Sequence, residues 1–565
     1  MTDTTAEVRF NERHVSESAG TTSRSSKSMG SKSRTNAYDI VTIVLLAVLV
    51  VTAFFTFKDY AISNDEGVQH HYGELIIAYY KSGFKDQSVF NFDNLYLYGG
   101  LFDIVAVALS HVVPMDPYDL RHILCALIGI AGIAAAAATA RMIAGPRAGL
   151  IAALALSISG AWYGTMFNHT KDIPFAAAMM GAILFLLRIG RRLPSPRAGD
   201  VAAFGLLMGA ALGIRVVGLL LVGYAVLVIL LYLPWRDRGD DRIRFVASSL
   251  LRIMPALALA YVIMIATWPW AALEPLNPIR GLLEFSEFHY DIRTFLDGKV
   301  YMMANVPPSY VPIYILIREP LLTLLGVALA VIFMLLPASI AGETKQRRKE
   351  IVVIALTAAI PLASQVVFRG PAFTGLRHFL FVLPSLAVLA AIGIDTLLSV
   401  LAARSRAAAG AALAVVTAGF MWDAVTLSRL HPYEYLFYNP LVGGLQGASR
   451  RYDLDYWFSS MPEALGQLEA YLRRNSKSDP NWPKEVYSVA VCGERLSFDK
   501  TVTLPQLRFD FKPKWSQSEF FIAPTHMNCD NDLDGKVIGT VTRLGVPIAL
   551  IKDRRGLTST IATAK

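Results

Sequence analysis

Charge is scarce in this chain. Its 565 residues include 53 Lys+Arg and 44 Asp+Glu, 17% in all, where soluble proteins carry about a quarter. Hydrophobic residues make up 54%, and the mean hydropathy is +0.44. A string of three or four soluble domains, the ordinary reading of such a length, is thereby excluded. Cysteine is rarer still: Cys125 lies inside an apolar run, Cys492 and Cys529 in the polar C-terminal part. Three cysteines exclude a disulfide-rich scaffold and permit one bridge between the last two. Runs of about ten residues with alternating polarity are missing as well. Stretches such as 40–57 are apolar on every side, which excludes a transmembrane barrel.

In their place, apolar runs of roughly 17 to 25 residues recur over the first 428 positions. Each is long enough to cross a hydrocarbon core of ~30 Å as a helix. The expected fold class is a polytopic α-helical membrane protein with a C-terminal exported α/β domain. The net charge of +9 is loop charge that sets membrane orientation, so no nucleic-acid partner is expected.

Residues 1–37 are rich in Ser, Thr, Lys and Arg without an apolar period, and read as a disordered tail. Its six Lys/Arg place it in the cytoplasm. The first apolar run, from Tyr38, has no small-residue cleavage site after it and reads as a retained anchor. Residues 58 to about 118 hold eight Asp/Glu and three Lys and form a first outer loop. Within it 95–113 is apolar but broken by Asp103 and a Gly pair, which suits a helix lying in the interface. Spans follow near 120–140, 149–166 and 173–190.

The run 201–234 has Arg215 near its middle and arginines at both ends, so it reads as two short helices with an outer turn at Arg215. Spans near 249–271, 319–337, 351–368, 378–401 and 409–427 bring the number to eleven, which puts the termini on opposite sides. The transmembrane region is 38–428, with a second large outer loop at about 273–318. Residues 429–565 form an exported soluble domain with strand-like runs at 486–491 and 536–551, in which no catalytic motif is evident. The localisation expected is a bacterial inner, or plasma, membrane.

Three groups of residues could carry chemistry. Asp65 and Glu66 follow the first span: two adjacent carboxylates near a membrane surface can hold a hydroxyl acceptor and take its proton, and equally can be a solvated turn. Asn168, His169, Lys171 and Asp172 stand at the outer junction of the third and fourth spans. Asp172 ahead of Pro174 also fits a plain helix start. A divalent cation could bridge Asp65 and Asp172 with His169, although no ligand spacing demands it. The third group is Arg215, Arg369, Arg377 and His378, suited to gripping phosphate in forked hydrogen bonds or to snorkelling toward lipid headgroups.

The acidic pair after the first span, RAGLIAALALSISGAWYG with NHTKDIPFA, and GLRHFLFVLPSLAVLAAIGID resemble the GT-C membrane glycosyltransferases, in particular bacterial relatives of protein mannosyltransferases and aminoarabinose transferases. The resemblance covers approximately 38–402, and YNPLVGGLQGASRRYDLDYWFSS is similar to a segment found after the last span in some of them. It implies an inverting transferase that passes a sugar from a polyprenyl phosphate to a lipid, surface glycan or protein acceptor at the outer face. By that match Asp65 is the general base with Glu66 assisting. Asp172 is the second acid, positioning the acceptor or a metal. Arg215 and Arg377, with Lys171 and His378, are donor-phosphate ligands. The chain departs from the pattern at Tyr96-Leu97-Tyr98-Gly99-Gly100, where many relatives carry a basic or His-Pro-Pro motif, and in having no Arg earlier in the third-span motif.

Readings from other classes stay open at this point. They are a secondary transporter, for which the chain offers no internal repeat, and a non-catalytic lipid-glycan-binding protein, which Asp65 and Asp172 lying far apart would favour. A surface-polysaccharide polymerase or ligase on a different fold is a further one.

Overall fold

A backbone in hydrocarbon must satisfy its own N–H and C=O groups, and the apolar runs accordingly form helices. The computed structural model describes residues 36–236, 238–287, 292–341, 344–370, 372–475 and 486–557. The tail expected over 1–37 lies outside them but for its last two residues. Seven of the eleven expected segments are helices long and apolar enough to span: 37–59, 117–144, 172–190, 239–267, 345–368, 377–404 and 406–430. An eighth crossing is a pair of helices, Tyr310–Arg318 and Leu321–Leu335, bent by 114° at Glu319-Pro320.

The other three expected segments are helices too short to cross by that measure, Pro146–Ser157, Ala198–Leu212 and Val216–Tyr232. Eleven full spans are not confirmed: among the described residues seven helices pass that measure, or eight crossings with the bent pair. The turn between the last two short helices falls at Arg215, as the charge placement required. The apolar part of the loop 58–118 forms the helix Leu101–Ser110. The acidic part ahead of it also folds, into the helix Asn64–Lys81, a feature not read from the sequence.

The two ends of the bundle differ. At the end away from Asp65, ion pairs join helix to helix: Arg141 to Asp39 (2.6 Å), Arg147 to Asp395 (2.6 Å), Arg188 to Asp200 (2.8 Å) and Arg191 to Glu350 (2.6 Å). The other end carries the loops and the C-terminal sheet. A hairpin of β1 (Arg293–Leu296) and β2 (Lys299–Met302) belongs to the second large loop. It is tied to the C-terminal part by the Gly298 N–H donating to the Arg451 carbonyl at 2.9 Å.

The sheet comprises β3 (Tyr487–Val491), β4 (Leu507–Asp510), β5 (Phe520–Pro524), β6 (Lys536–Arg543) and β7 (Val546–Asp553) in the order β4-β3-β5-β7-β6. β4, β3 and β5 are parallel, while β7 is antiparallel to both β5 and β6. Cys492, just past β3, is bonded to Cys529.

Small residues set how closely the apolar helices approach. Between Leu321–Leu335 and Leu383–Arg404, a Cβ added at Gly393 would lie 2.0 Å from the Gly326 carbonyl oxygen, backbone that cannot yield cheaply. Gly223, in Leu220–Tyr232, has open space around it. Gly393→Val is expected to destabilise the chain by about 1–3 kcal/mol or more through overpacking. Gly223→Ala should leave stability unchanged or slightly raised. Thermal unfolding of the two purified variants in detergent checks the contrast.

Candidate functional site

Asp65 and Glu66 open the helix Asn64–Lys81, and a capping box fixes them. The Ser63 N–H and hydroxyl both donate to Glu66 Oε2, at 2.8 and 3.1 Å. This turns the two neighbouring acids in opposite directions. Glu66 points inward, 0% exposed, onto His122 Nε2 at 3.1 Å. Asp65 points outward, its side chain 23% exposed, into a cavity of about 500 Å³. The assisting role expected of Glu66 is therefore corrected: its carboxylate is occupied as a helix cap and as the buried partner of His122.

The cavity gathers Asp65, Lys171, Arg215, Arg377 and His378, which come from four separate stretches of chain. Arg377 is its hub. One guanidinium nitrogen, Nη2, donates to Asp65 Oδ2, and Nε donates to Asp172 Oδ2 at 3.2 Å. Arg215 Nη2 donates to the other oxygen of Asp172. Asp172 is buried and is not among the lining residues; it holds the two arginines from behind. Arg369 ends the helix 345–368 in a left-handed conformation, exposed and away from the cavity lining.

Buried polar contacts keep these stretches in register. Arg121, inside the helix 117–144, donates to Asp103 (2.7 Å), Gln69 (3.2 Å) and Thr170 (3.0 Å), and Thr170 donates to Gln69 (2.8 Å). One guanidinium thereby fixes both helices of the loop 58–118 to the segment carrying His169, Lys171 and Asp172. The Gly99-Gly100 step does the rest. A Cβ at Gly99 would come 2.2 Å from the Gly213 backbone, and the Gly100 N–H donates to the Thr267 carbonyl at 2.9 Å. This close approach sets the Tyr98 ring beneath Lys171 Nζ (4.0 Å) and near Arg215 (6.0 Å), so an aromatic face stands against two cations of the cavity.

The tail supplies two residues that sequence reasoning missed. Tyr456 donates its hydroxyl to Asp65 Oδ2 at 3.2 Å, stacks on His169 at 3.8 Å and lies 5.4 Å from the Arg377 guanidinium. Trp457 lines the cavity, with its indole Nε1 buried and without a hydrogen-bond partner among the described residues. Asp455 holds this segment by accepting from the Tyr456 and Ser459 N–H groups at 2.7 and 2.9 Å. Trp457 and Phe458 both sit at positive φ, 51° and 60°. The signal was present in DLDYWFSS, but an aromatic pair in a polar segment carries no chemistry until a fold brings it to a carboxylate.

Burial decides the charge of the flanking groups. His169 is pushed down to about 3 by desolvation, with Arg318 and Arg215 adding to the effect, so its imidazole is neutral. Lys171 is lowered to about 8, again chiefly by desolvation, with Asp103 opposing the fall and Arg215 adding to it. Burial pushes the Tyr456 phenol up against the pull of Arg377, which keeps it a donor to Asp65.

Of the expected metal set, Asp65 and Asp172 meet through a guanidinium and His169 turns elsewhere. The Arg377 guanidinium occupies the place between the two carboxylates, and His169 Nδ1 faces Asn168 Oδ1 at 3.1 Å. Among the described residues no three His, Cys, Asp or Glu side chains form a metal-binding group.

Residues 108–270 match the family model described as dolichyl-phosphate-mannose-protein mannosyltransferase. Over those residues, under a third of the chain, the match agrees with the resemblance to protein mannosyltransferases drawn from the sequence. No curated relative matches. Solved structures that align with the chain include ArnT from Cupriavidus metallidurans in the apo state, at 16% identity and a TM-score of 0.44, over 91% of this chain and 98% of that one. The archaeal oligosaccharyltransferase AglB from Archaeoglobus fulgidus, in complex with an inhibitory peptide and a dolichol-phosphate, aligns at 12% identity and a TM-score of 0.44. That alignment covers 86% of this chain and 69% of AglB. The arabinofuranosyltransferase AftD from Mycobacteria aligns at 13% identity and a TM-score of 0.41, over 91% of this chain and 40% of AftD.

The opposite orientations of the two acids give separable expectations. Glu66→Ala removes a helix cap and strands His122 in the core, and is expected to cost about 2–4 kcal/mol of stability. Asp65→Asn keeps the side chain's shape but leaves Arg377 with Asp172 as its carboxylate partner, and is expected to cost less, about 1 kcal/mol. Thermal melts of the two variants side by side check this.

Proposed function

We propose that the chain is an inverting glycosyltransferase that moves a sugar from a polyprenyl-phosphate donor to a hydroxyl acceptor on a lipid, surface glycan or protein at the outer face of the membrane. The observation that carries the reading is one cavity, at one end of an apolar helical bundle, in which a partly exposed carboxylate, Asp65, stands beside Arg377, Arg215 and Lys171. Displacement at an anomeric carbon bonded to a lipid phosphate asks for these groups. A base must accept the incoming hydroxyl proton, and cations must hold the departing phosphate.

In the resting arrangement Asp65 is neutralised by Arg377 and hydrogen-bonded by Tyr456. A phosphate entering the cavity competes for the same guanidinium in forked geometry, with Lys171 and Arg215 as further cationic partners. Arg377 stays anchored through Asp172 while it turns from carboxylate to phosphate. The freed Asp65 carboxylate then accepts the proton of the acceptor hydroxyl. The oxygen of that hydroxyl forms its bond to the anomeric carbon, and the carbon–phosphate oxygen bond breaks on the opposite face, its electron pair leaving with the phosphate. The unpartnered Trp457 N–H is placed to donate to a sugar or phosphate oxygen. These steps use the chain's own groups; in the resting arrangement Arg377 meets both carboxylates that would hold a divalent cation. The condition that would have favoured a non-catalytic binding protein, distant Asp65 and Asp172, is not met, since one guanidinium joins them.

Asp65→Asn is expected to reduce transfer by about 10²–10⁴-fold, the usual size of general-base assistance, with donor binding retained. Transfer of label from a panel of radiolabelled polyprenyl-phosphate sugars to membrane extracts, with and without chelator, checks it. Most of the activity surviving in the variant would remove Asp65 from the role. The lowered Lys171 adds a pH signature: its positive charge is full below about 8 and lost as pH rises through that value. Affinity for the singly charged donor phosphate should fall along an alkaline limb near pH 8. Lys171→Arg, charged throughout, should flatten that limb.

A further inference from the structure

At the end of the bundle away from Asp65, a second cavity of about 490 Å³ opens between the last turns of the helices 117–144 and 172–190 and the first turn of 198–212. Four arginines line it: Arg141, Arg188, Arg191 and Arg192. Three have carboxylate partners: Arg141 holds Asp39 through Nε and Nη2, Arg188 holds Asp200, and Arg191 holds Glu350 through Nε and Nη2. Arg192 has no ion pair or side-chain hydrogen bond among the described residues, so the cavity keeps an excess positive charge. The paired arginines remain reachable, with 53% of the Arg141 side chain and 43% of the Arg188 side chain exposed. A guanidinium that gives one edge to a carboxylate still has N–H groups for a second anion.

The wall is amphipathic in a particular direction. Ala138 lies one turn deeper along its helix than Arg141 and Met142, and Leu184 one turn deeper than Arg188. The cationic groups therefore stand at the mouth and the apolar ones on the side toward the middle of the bundle. A soluble anion would use only the mouth. A lipid whose phosphate meets the arginines and whose glycerol and first methylenes lie along Ala138 and Leu184 would use both.

We propose that this cavity binds the phosphate-bearing headgroup of an anionic lipid in the leaflet opposite the Asp65 site. The two sites cannot be one. Arg188 is sixteen residues along the same helix from Asp172, about 24 Å at 1.5 Å per residue. The lipid fixes the junction of three helices whose other ends carry Asp172, Arg215 and the Arg121 network, and stabilises the bundle without entering the reaction.

Native mass spectrometry of the purified full-length chain, titrated with phosphatidylglycerol, phosphatidylcholine or inorganic phosphate, tests this. The expected result is one phosphatidylglycerol per chain, held on the order of fivefold or more tightly than phosphatidylcholine, the scale of one arginine acting on an anionic headgroup. The preference should vanish in Arg192→Gln, whose side chain leaves no ion pair broken. It should survive in Arg192→Lys, and also in Asp65→Asn, which separates this lipid from any bound in the catalytic cavity. Equal retention of the two lipids by wild type would overturn the proposal, as would an unchanged preference in Arg192→Gln. Displacement of phosphatidylglycerol by inorganic phosphate at equal concentration would show that the anion alone is recognised and would overturn the lipid assignment.

Discussion

The architecture of the site depends on one guanidinium held between two carboxylates. Arg377 is 9% exposed, a cost in desolvation that one carboxylate partner would only partly offset, and it meets both Asp65 and Asp172. The two acids are not equivalent. Asp172 is buried, holds Arg215 as well, and meets Arg377 from behind the cavity wall. Asp65 faces the cavity and can be replaced by another anion. A charge pair with one buried and one exchangeable partner can act as a latch: in the proposed reaction an entering phosphate takes Arg377 and so liberates Asp65.

The rest of the fold serves that latch. The Ser63–Glu66 cap decides which neighbouring acid faces outward, and Arg121 ties both loop helices to the segment with Lys171 and Asp172. The glycine pair at 99–100 permits a backbone approach that brings Tyr98 under two cations. The C-terminal part reaches back across the chain to place Tyr456 on Asp65 and on His169. It is thus a wall of the site as well as a fold of its own, and its sheet, disulfide and Asp455 turn hold that wall in place.

Much of this was legible in the residues. Apolar runs name helices without ambiguity because hydrocarbon leaves the backbone no other arrangement, and Arg215 in an apolar run marks a turn because a guanidinium does not rest at mid-membrane. The gathering of Asp65, Lys171, Asp172, Arg215 and Arg377 at one end followed from the alternation of spans. Other features turned on geometry that a one-dimensional pattern does not hold. Asp65 and Glu66 are indistinguishable as letters, and only the capping box separates their directions. Asp65 and Asp172 suggest a cation site until a guanidinium from 205 residues further on lies between Asp172 and its neighbour. Tyr456 lies 391 residues from its partner Asp65. The number of spans was less legible, since hydropathy measures apolar length and not where a helix stops.

The most direct measurement of the latch is a structure of the chain with a polyprenyl phosphate bound. The account predicts phosphate oxygens within hydrogen-bond distance of Arg377 and Lys171, Arg377 still joined to Asp172, and the Asp65 carboxylate released into the cavity. A phosphate bound elsewhere, with the Asp65–Arg377 pair intact, would contradict it.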